Sequence, residues 1–224
     1  MKLYTHPGST AGRIVQSFAA DQGVPLECVI VDLMTGEHLQ PAYAALNPNQ
    51  LVPMLVDGDF KLTESSAILK YLADTVGSSA YPKELRARAH INEVMDWFNS
   101  NFYRDFGYGV VYLQVFPHHV RPNADCQAGT IAWGVEKSHR WLKVLDESIL
   151  GPDRTYLCGA SITLADYLGA EMISVGDLIG CTFDAYPNVR RWMGTMRALP
   201  TWAAVHAVLD GFAASLRGNS YVAI

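Results

Sequence analysis

The sequence predicts a mixed α/β-sheet domain followed by an all-helical one, on two observations. Residues 1–75 alternate short β-branched runs with runs of helical period, and everything past Gly77-Ser78-Ser79 keeps the helical period with little strand patterning. The first part also orders itself β-α-β-α-β-β-α, which demands strands paired in parallel through a crossover and an antiparallel hairpin at one edge. Half of the 224 residues are apolar or aromatic and 17% are charged, so the chain can bury one large core or two smaller ones and is not a disordered tract.

Taken in order, Lys2–Thr5 reads as a buried strand, residues 12–21 as an amphipathic helix and 26–31 as a second strand. A helix is expected over 39–46, stopping before Asn47-Pro48. Residues 54–56 and 60–62 then flank Asp57-Gly58-Asp59, a hairpin turn signal, and a helix follows over 64–75. In the second part, helices are expected over 83–112, 125–150, 164–178, 187–199 and 201–216. Thr163-Leu164-Ala165-Asp166 places a hydroxyl three residues before a carboxylate, the pattern of a capping box, with Ile162 and Tyr167 as its hydrophobic staple. The expected units are a sheet domain over 1–76, a linker over 77–82 and an all-helical domain over 83–224.

Composition narrows the function. Seventeen basic and 22 acidic residues leave a net charge of −5, with no basic stripe, which argues against a nucleic-acid partner. No apolar run nears the roughly 18 residues of a membrane span, and the opening MKLYTHPGSTAGR has no apolar h-region, so a cytoplasmic protein is expected. Cys28, Cys126, Cys158 and Cys181 are widely spaced, without a CxxC pair, and read as reduced thiols rather than metal ligands. No metal site is expected, and His118-His119 reads as a solvated pair.

Three segments carry candidate chemistry. Pro53 stands at a strand entrance; a cis Val52–Pro53 bond would turn the Val52 backbone groups toward an extended ligand, and an ordinary trans proline is the plainer alternative. Thr63-Glu64-Ser65-Ser66 opens a helix directly after the hairpin, where free N–H groups suit a carboxylate, Ser65 adds a hydroxyl and Glu64 can pair with an ammonium. Plain helix capping explains the same residues. Pro7–Arg13, between the first strand and the first helix, is small enough for a ligand to approach its backbone. No His and Asp accompany its serine as a nucleophilic triad would require, His6 reads as packing, and the glycines miss GxGxxG spacing.

Together these segments resemble the glutathione transferase family over essentially the whole chain, and the theta-like class and its bacterial relatives in particular. The resemblance rests on Gly36-Glu37-His38-Leu39, Asn47-Pro48 with Val52-Pro53, residues 57–69 (DGDFKLTESSAIL), residues 81–89 (YPKELRARA) and Thr163–Asp166. It implies a thioredoxin-like N-terminal domain and an all-α C-terminal domain, glutathione as co-substrate, a homodimer and a role in detoxification. It also implies that Ser9, four residues before Arg13, donates its hydroxyl to the glutathione sulfur, with Thr10 as runner-up. Val52 would pair with the cysteinyl backbone beside cis Pro53, Glu64 and Ser65 would hold the γ-glutamyl end, and His38 and Gln50 would face the glycine carboxylate. Leu39 and Leu51 stand where theta relatives often carry lysines, so a looser grip on the glycine end is expected.

The sulfur chemistry implied by the resemblance can be sized. A free thiol of pKa about 8.5 is roughly 3% thiolate at neutral pH, and lowering it by two units takes about 2.7 kcal/mol. One hydrogen bond to a charged group contributes about 1.5–3 kcal/mol, so a serine at a helix end suffices without a general base. The reaction expected is conjugation of the thiolate to small hydrophobic electrophiles in a pocket between the domains lined by Tyr103, Phe106, Tyr112 and Thr10. Its alternatives are a glutathione-dependent dehalogenase, lyase or isomerase on the same scaffold, or a non-catalytic glutathione-binding protein.

Overall fold

The computed structural model describes residues 1–224. Its sheet contains β1 (Lys2–Thr5), β2 (Glu27–Ile30), β3 (Met54–Asp57) and β4 (Phe60–Thr63) in the order β2-β1-β3-β4. β1 and β2 run parallel, joined by the crossover helix α1 (Thr10–Asp21), and β3 and β4 form the antiparallel hairpin, with β3 antiparallel to β1. Fully buried Leu3 and Leu55 face Ile14, Val15 and Phe18 of α1 and Ile68, Leu69 and Leu72 of α3 (Ser65–Val76) in one core.

The helix expected over 39–46 is cut in two. Pro41 restricts the residue before it, so Gln40 is extended (φ −74°, ψ 148°), leaving a 3-10 turn at Glu37–Leu39 and a four-residue α2 at Pro41–Ala44.

The helical half opens with α4 (Leu85–Trp97), whose first two N–H groups beyond its opening residue, on Arg86 and Ala87, donate to the Glu84 carboxylate. The chain then continues to Val115 through a π turn at Phe98–Phe102, α5 (Tyr103–Asp105), a second π turn at Gly107–Val111 and α6 (Tyr112–Val115). α7 (Ala124–Val144) is capped by Asn123, whose side chain accepts from Cys126 N–H at 2.9 Å. It crosses the second π turn so closely that a Cβ on Gly134 would lie 2.6 Å from the Gly109 carbonyl oxygen. Gly134→Ala should therefore destabilise the chain by about 1–3 kcal/mol, seen as a lowered unfolding midpoint; an unchanged midpoint would show that the crossing can open without cost.

α8 (Leu164–Ser174) is buried over its whole length, with α1, α4 and α9 (Pro187–Arg197) packed against it, and α10 (Trp202–Ser215) packs on α1, α9 and the turn that follows α8. At its start the Asp166 carboxylate accepts from the Thr163 N–H (2.8 Å) and hydroxyl (2.8 Å), the Leu157 N–H (2.8 Å) and Trp192 Nε1 (2.9 Å). The carboxylate thus does more than close a helix end: it ties the 157 loop and α9 to α8. Tyr167, the expected staple residue, reaches across instead, setting its ring edge-on to Phe18 and its hydroxyl on Asp21 of α1. A single core of 42 buried residues runs from Leu3 to Leu209 through both halves. No helix is long and apolar enough to cross a membrane. All four cysteines are free, and burial pushes the Cys158 and Cys181 thiols up to about 11, which leaves them unreactive.

Candidate functional site

Strand register brings the three candidate segments to one end of the sheet. Tyr4 of β1 pairs with Met54 of β3, and Met54 with Thr63 of β4, so these three residues form one row across the sheet. The segment 6–9 leaves the sheet just past Tyr4 and Thr5, Val52-Pro53 enters just before Met54, and Glu64-Ser65 comes directly after Thr63. The N-termini of α1 and α3 open at this same end, and each adds a partial positive charge there.

Ser9 is the N-cap of α1 in extended conformation, its Oγ accepting from Gly12 N–H at 3.2 Å. That bond uses a lone pair and leaves the hydroxyl proton uncommitted. His6 shapes the approach, since its Nδ1 accepts from Gly8 N–H at 3.1 Å and its carbonyl from Ser9 N–H at 2.8 Å. Gly12 permits the tight seat of α1, because a Cβ there would collide with Thr5 Oγ1. Thr10 is placed differently. It is buried, with its hydroxyl 3.0 Å from the Tyr112 hydroxyl and accepting from an Arg13 terminal nitrogen at 3.4 Å.

The Val52–Pro53 bond is cis. Neither the N–H nor the C=O of Val52 has a backbone partner in the chain, and Asn47 Nδ2 and the Tyr43 hydroxyl hold the neighbouring Leu51 carbonyl, each at 2.7 Å. Glu64 sits at φ 66°, ψ 113°, a backbone region a non-glycine residue rarely takes, and no side chain caps the helix it starts. Its side chain is exposed, while Ser65 is nearly enclosed beside it. Gln50, also at positive φ (55°), donates from Nε2 to the Leu39 carbonyl at 3.5 Å, which brings the 50 loop against the turn carrying His38. His38 Nδ1 is buried without a partner.

The helical half contributes an aromatic wall. The Tyr103 and Tyr112 hydroxyls meet, Tyr108 sets its ring edge-on to both, and His119 packs on Tyr112 and Tyr108 at 5.3 and 5.6 Å. Burial, then the Tyr112 charge, holds the Tyr103 hydroxyl well above its ordinary range. His119 packs into this wall rather than standing free in solvent as expected; burial first, then His118 and Arg121, lowers its pKa. Phe106 is a correction. It is completely buried between Phe102 and Phe183, so it belongs to the core and cannot line a cleft. The flanking π turns explain the error, since each inserts a residue and rotates the next side chains away from the face a 3.6-residue period assigns.

Comparison with known proteins bears on this arrangement. The family description "Glutathione S-transferase, N-terminal domain" matches residues 1–74, and "Glutathione S-transferase, C-terminal domain" matches 130–200. Glutathione S-transferase theta-1 of Homo sapiens is 33% identical over 201 residues, spanning 88% of this chain and 82% of that protein. The chain belongs to the glutathione S-transferase family. The theta class is represented again by glutathione S-transferase theta-2 of Rattus norvegicus, at 31% identity over 88% of this chain and 81% of its own. Among solved structures, human glutathione transferase theta-2 in complex with glutathione and an unknown ligand aligns with TM-score 0.85 at 28% identity, covering 99% of this chain and 92% of that one. Human glutathione-S-transferase T1-1, apo form, aligns with TM-score 0.81 at 32% identity, covering 93% and 88%.

Beneath the start of α1, this glutathione S-transferase holds a buried polar cluster that sequence patterning missed. Arg13 is fully buried; its Nε donates to Glu171 Oε2 at 2.9 Å and one terminal nitrogen to the Gly8 carbonyl at 3.1 Å. Ser17 donates to Glu171 Oε1 at 2.6 Å, and His206 Nε2 lies 3.1 Å from Oε2. Burial opposes ionisation of Glu171, but Arg13, His206 and Ser17 outweigh it and hold the carboxyl below its usual range. The only sequence-level hint was the presence of ionisable residues within strongly apolar helical faces, and Arg13 and Glu171 lie 158 positions apart, which periodicity cannot pair.

Proposed function

We propose that the chain conjugates glutathione, as its thiolate, to small hydrophobic electrophiles, and that Ser9 rather than Thr10 donates the hydrogen bond that stabilises the sulfur. The free hydroxyl proton of Ser9 carries this reading. Gly12 N–H fixes the Ser9 oxygen while leaving its proton to point outward, whereas the Thr10 hydroxyl is buried between Tyr112 and Arg13.

The donor set suits an extended tripeptide. The unpaired N–H and C=O of Val52, beside Pro53, match the backbone of a cysteinyl residue. The N-terminus of α3 with the Ser65 hydroxyl suits the γ-glutamyl carboxylate, and the Glu64 carboxylate suits its ammonium. His38 and Gln50 face the remaining carboxylate, without lysines at 39 and 51. Tyr103 and Tyr112, with Thr10 behind them, border the electrophile pocket. The chain acts as a cytoplasmic homodimer in detoxification, with no metal and no nucleic-acid or membrane partner.

Retention on immobilised glutathione followed by turnover of a chlorinated nitroaromatic and an alkyl halide tests the reading. Retention with turnover supports it, and retention without turnover would reduce the chain to a binding protein. Thr10→Val separates the two hydroxyls: the titration of bound glutathione sulfur should stay within about 0.3 pH units of wild type, since the lost hydrogen bonds served Tyr112 and Arg13. A rise of a full unit, about 1.4 kcal/mol, would transfer the role to Thr10.

A further inference from the structure

Building on that reading, we propose that Glu171 and His206 are positioning residues, and that a doubly protonated His206 gives the buried cluster under α1 a net positive charge favouring the thiolate above it.

The two ring nitrogens of His206 face different partners. Buried His206 has Nδ1 3.0 Å from the Trp202 carbonyl, which can only accept, so Nδ1 carries a proton. Nε2 lies 3.1 Å from Glu171 Oε2, which already accepts from Arg13, and forms no well-directed hydrogen bond there. A bare, electron-rich Nε2 would stand 3.1 Å from a carboxylate oxygen at a site where His206 and Glu171 are each almost wholly removed from solvent. A proton on Nε2 turns that repulsion into attraction. The ring also lies flat on Trp202, centroids 3.6 Å apart and planes 9° apart, a face that favours a cation.

Charges face the ring from every element packed against it. From α1 comes Arg13, from α8 Glu171, and from the turn after α8 Asp177, which is paired to Arg197 of α9 at 2.8 Å and also faces Asp210 of α10. Within the cluster, Arg13 and Glu171 cancel, and protonated His206 leaves one positive charge. The cluster lies directly under Ser9, since Arg13 donates to the Gly8 carbonyl and the Thr10 hydroxyl, the neighbours of Ser9 on either side, so its surplus charge acts there through the low-dielectric interior. α10 thereby reaches the reacting sulfur without touching it.

Two substitutions predict different outcomes, a rise for one and none for the other, which a merely structural role would not produce. In the full chain, His206→Gln leaves Arg13 and Glu171 cancelled and should raise the titration midpoint of bound glutathione sulfur by about half to one pH unit, with KM for glutathione changed less than about twofold. Glu171→Gln removes the negative charge and should leave that midpoint unchanged or lower it. Shifts of both variants in the same direction, or no shift in His206→Gln, would overturn the proposal. If either variant fails to fold, nitrogen-15 resonances of His206 in the wild-type protein at neutral pH decide it: protons on both ring nitrogens support the proposal and a bare Nε2 refutes it. A wild-type chain that neither binds glutathione nor shows thiolate absorbance would overturn the proposed reaction instead, and the nitrogen resonances would still judge the histidine.

Discussion

Ser9→Ala is expected to raise the titration of bound glutathione sulfur by about one to two pH units, the equivalent of losing one hydrogen bond to a charged group worth about 1.5–3 kcal/mol. Turnover at neutral pH should then fall about 3- to 25-fold, as the thiolate fraction drops from about three quarters toward a few per cent. The loss should shrink as pH rises, because above the variant's own midpoint the thiol ionises unaided. Retention on glutathione should hardly change, since Val52, Glu64 and Ser65 still contact the rest of the tripeptide. A side effect is built into the geometry: Ser9 also caps α1 through Gly12 N–H, so the variant should lose about 1 kcal/mol of stability. Rate–pH profiles and thiolate absorbance measured side by side separate the two consequences. Superimposable titrations in variant and wild type would refute the role of Ser9.

The largest stability effect is expected at Asp166. Removing its carboxylate by Asp166→Ala strands four donors at once, from Leu157, Thr163 twice and Trp192, at a site with no exposure. Burial pushes this carboxyl up, and the four hydrogen bonds pull against it, so the carboxylate and its donors depend on one another. The expected loss is about 3–5 kcal/mol, or roughly 6–20 °C in the midpoint of a chain this size. Asp166→Asn keeps an acceptor for part of the set and should cost less. Thermal unfolding of both variants checks the order, and a midpoint within about 2 °C of wild type for the alanine variant would show that the loop and α9 are held by other contacts.

The strands and most helices were legible because their signals are local. Period-2 and period-3.6 patterns placed β1 through β4 and α3 to within a residue or two, and Thr163–Asp166 marked the start of α8. Periodicity misread any departure from its own period. Pro41 split one expected helix, and the π turns at 98–102 and 107–111 turned Phe106 into the core. Val52-Pro53 and Glu64-Ser65 stood out from local chemistry, but the ligand they suit and the roles of Ser9, His38 and Gln50 could be named only through resemblance, and the positive φ of Gln50 and Glu64 is a backbone state that composition does not encode. Arg13, Glu171 and His206 stayed invisible for another reason: their pairing depends on how α1, α8 and α10 stack, and nothing local in any of them specifies a partner.

That stacking limits how the chain can be divided or recombined. Arg13 lies in the N-terminal half and Glu171 in the C-terminal half, and both are fully enclosed where they meet. A chimera that joins one half to the opposite half of a distant relative would bury an ion without its counterion unless both members of the pair travelled together. Exchange of one half is therefore expected to succeed only where the incoming half brings the matching charge.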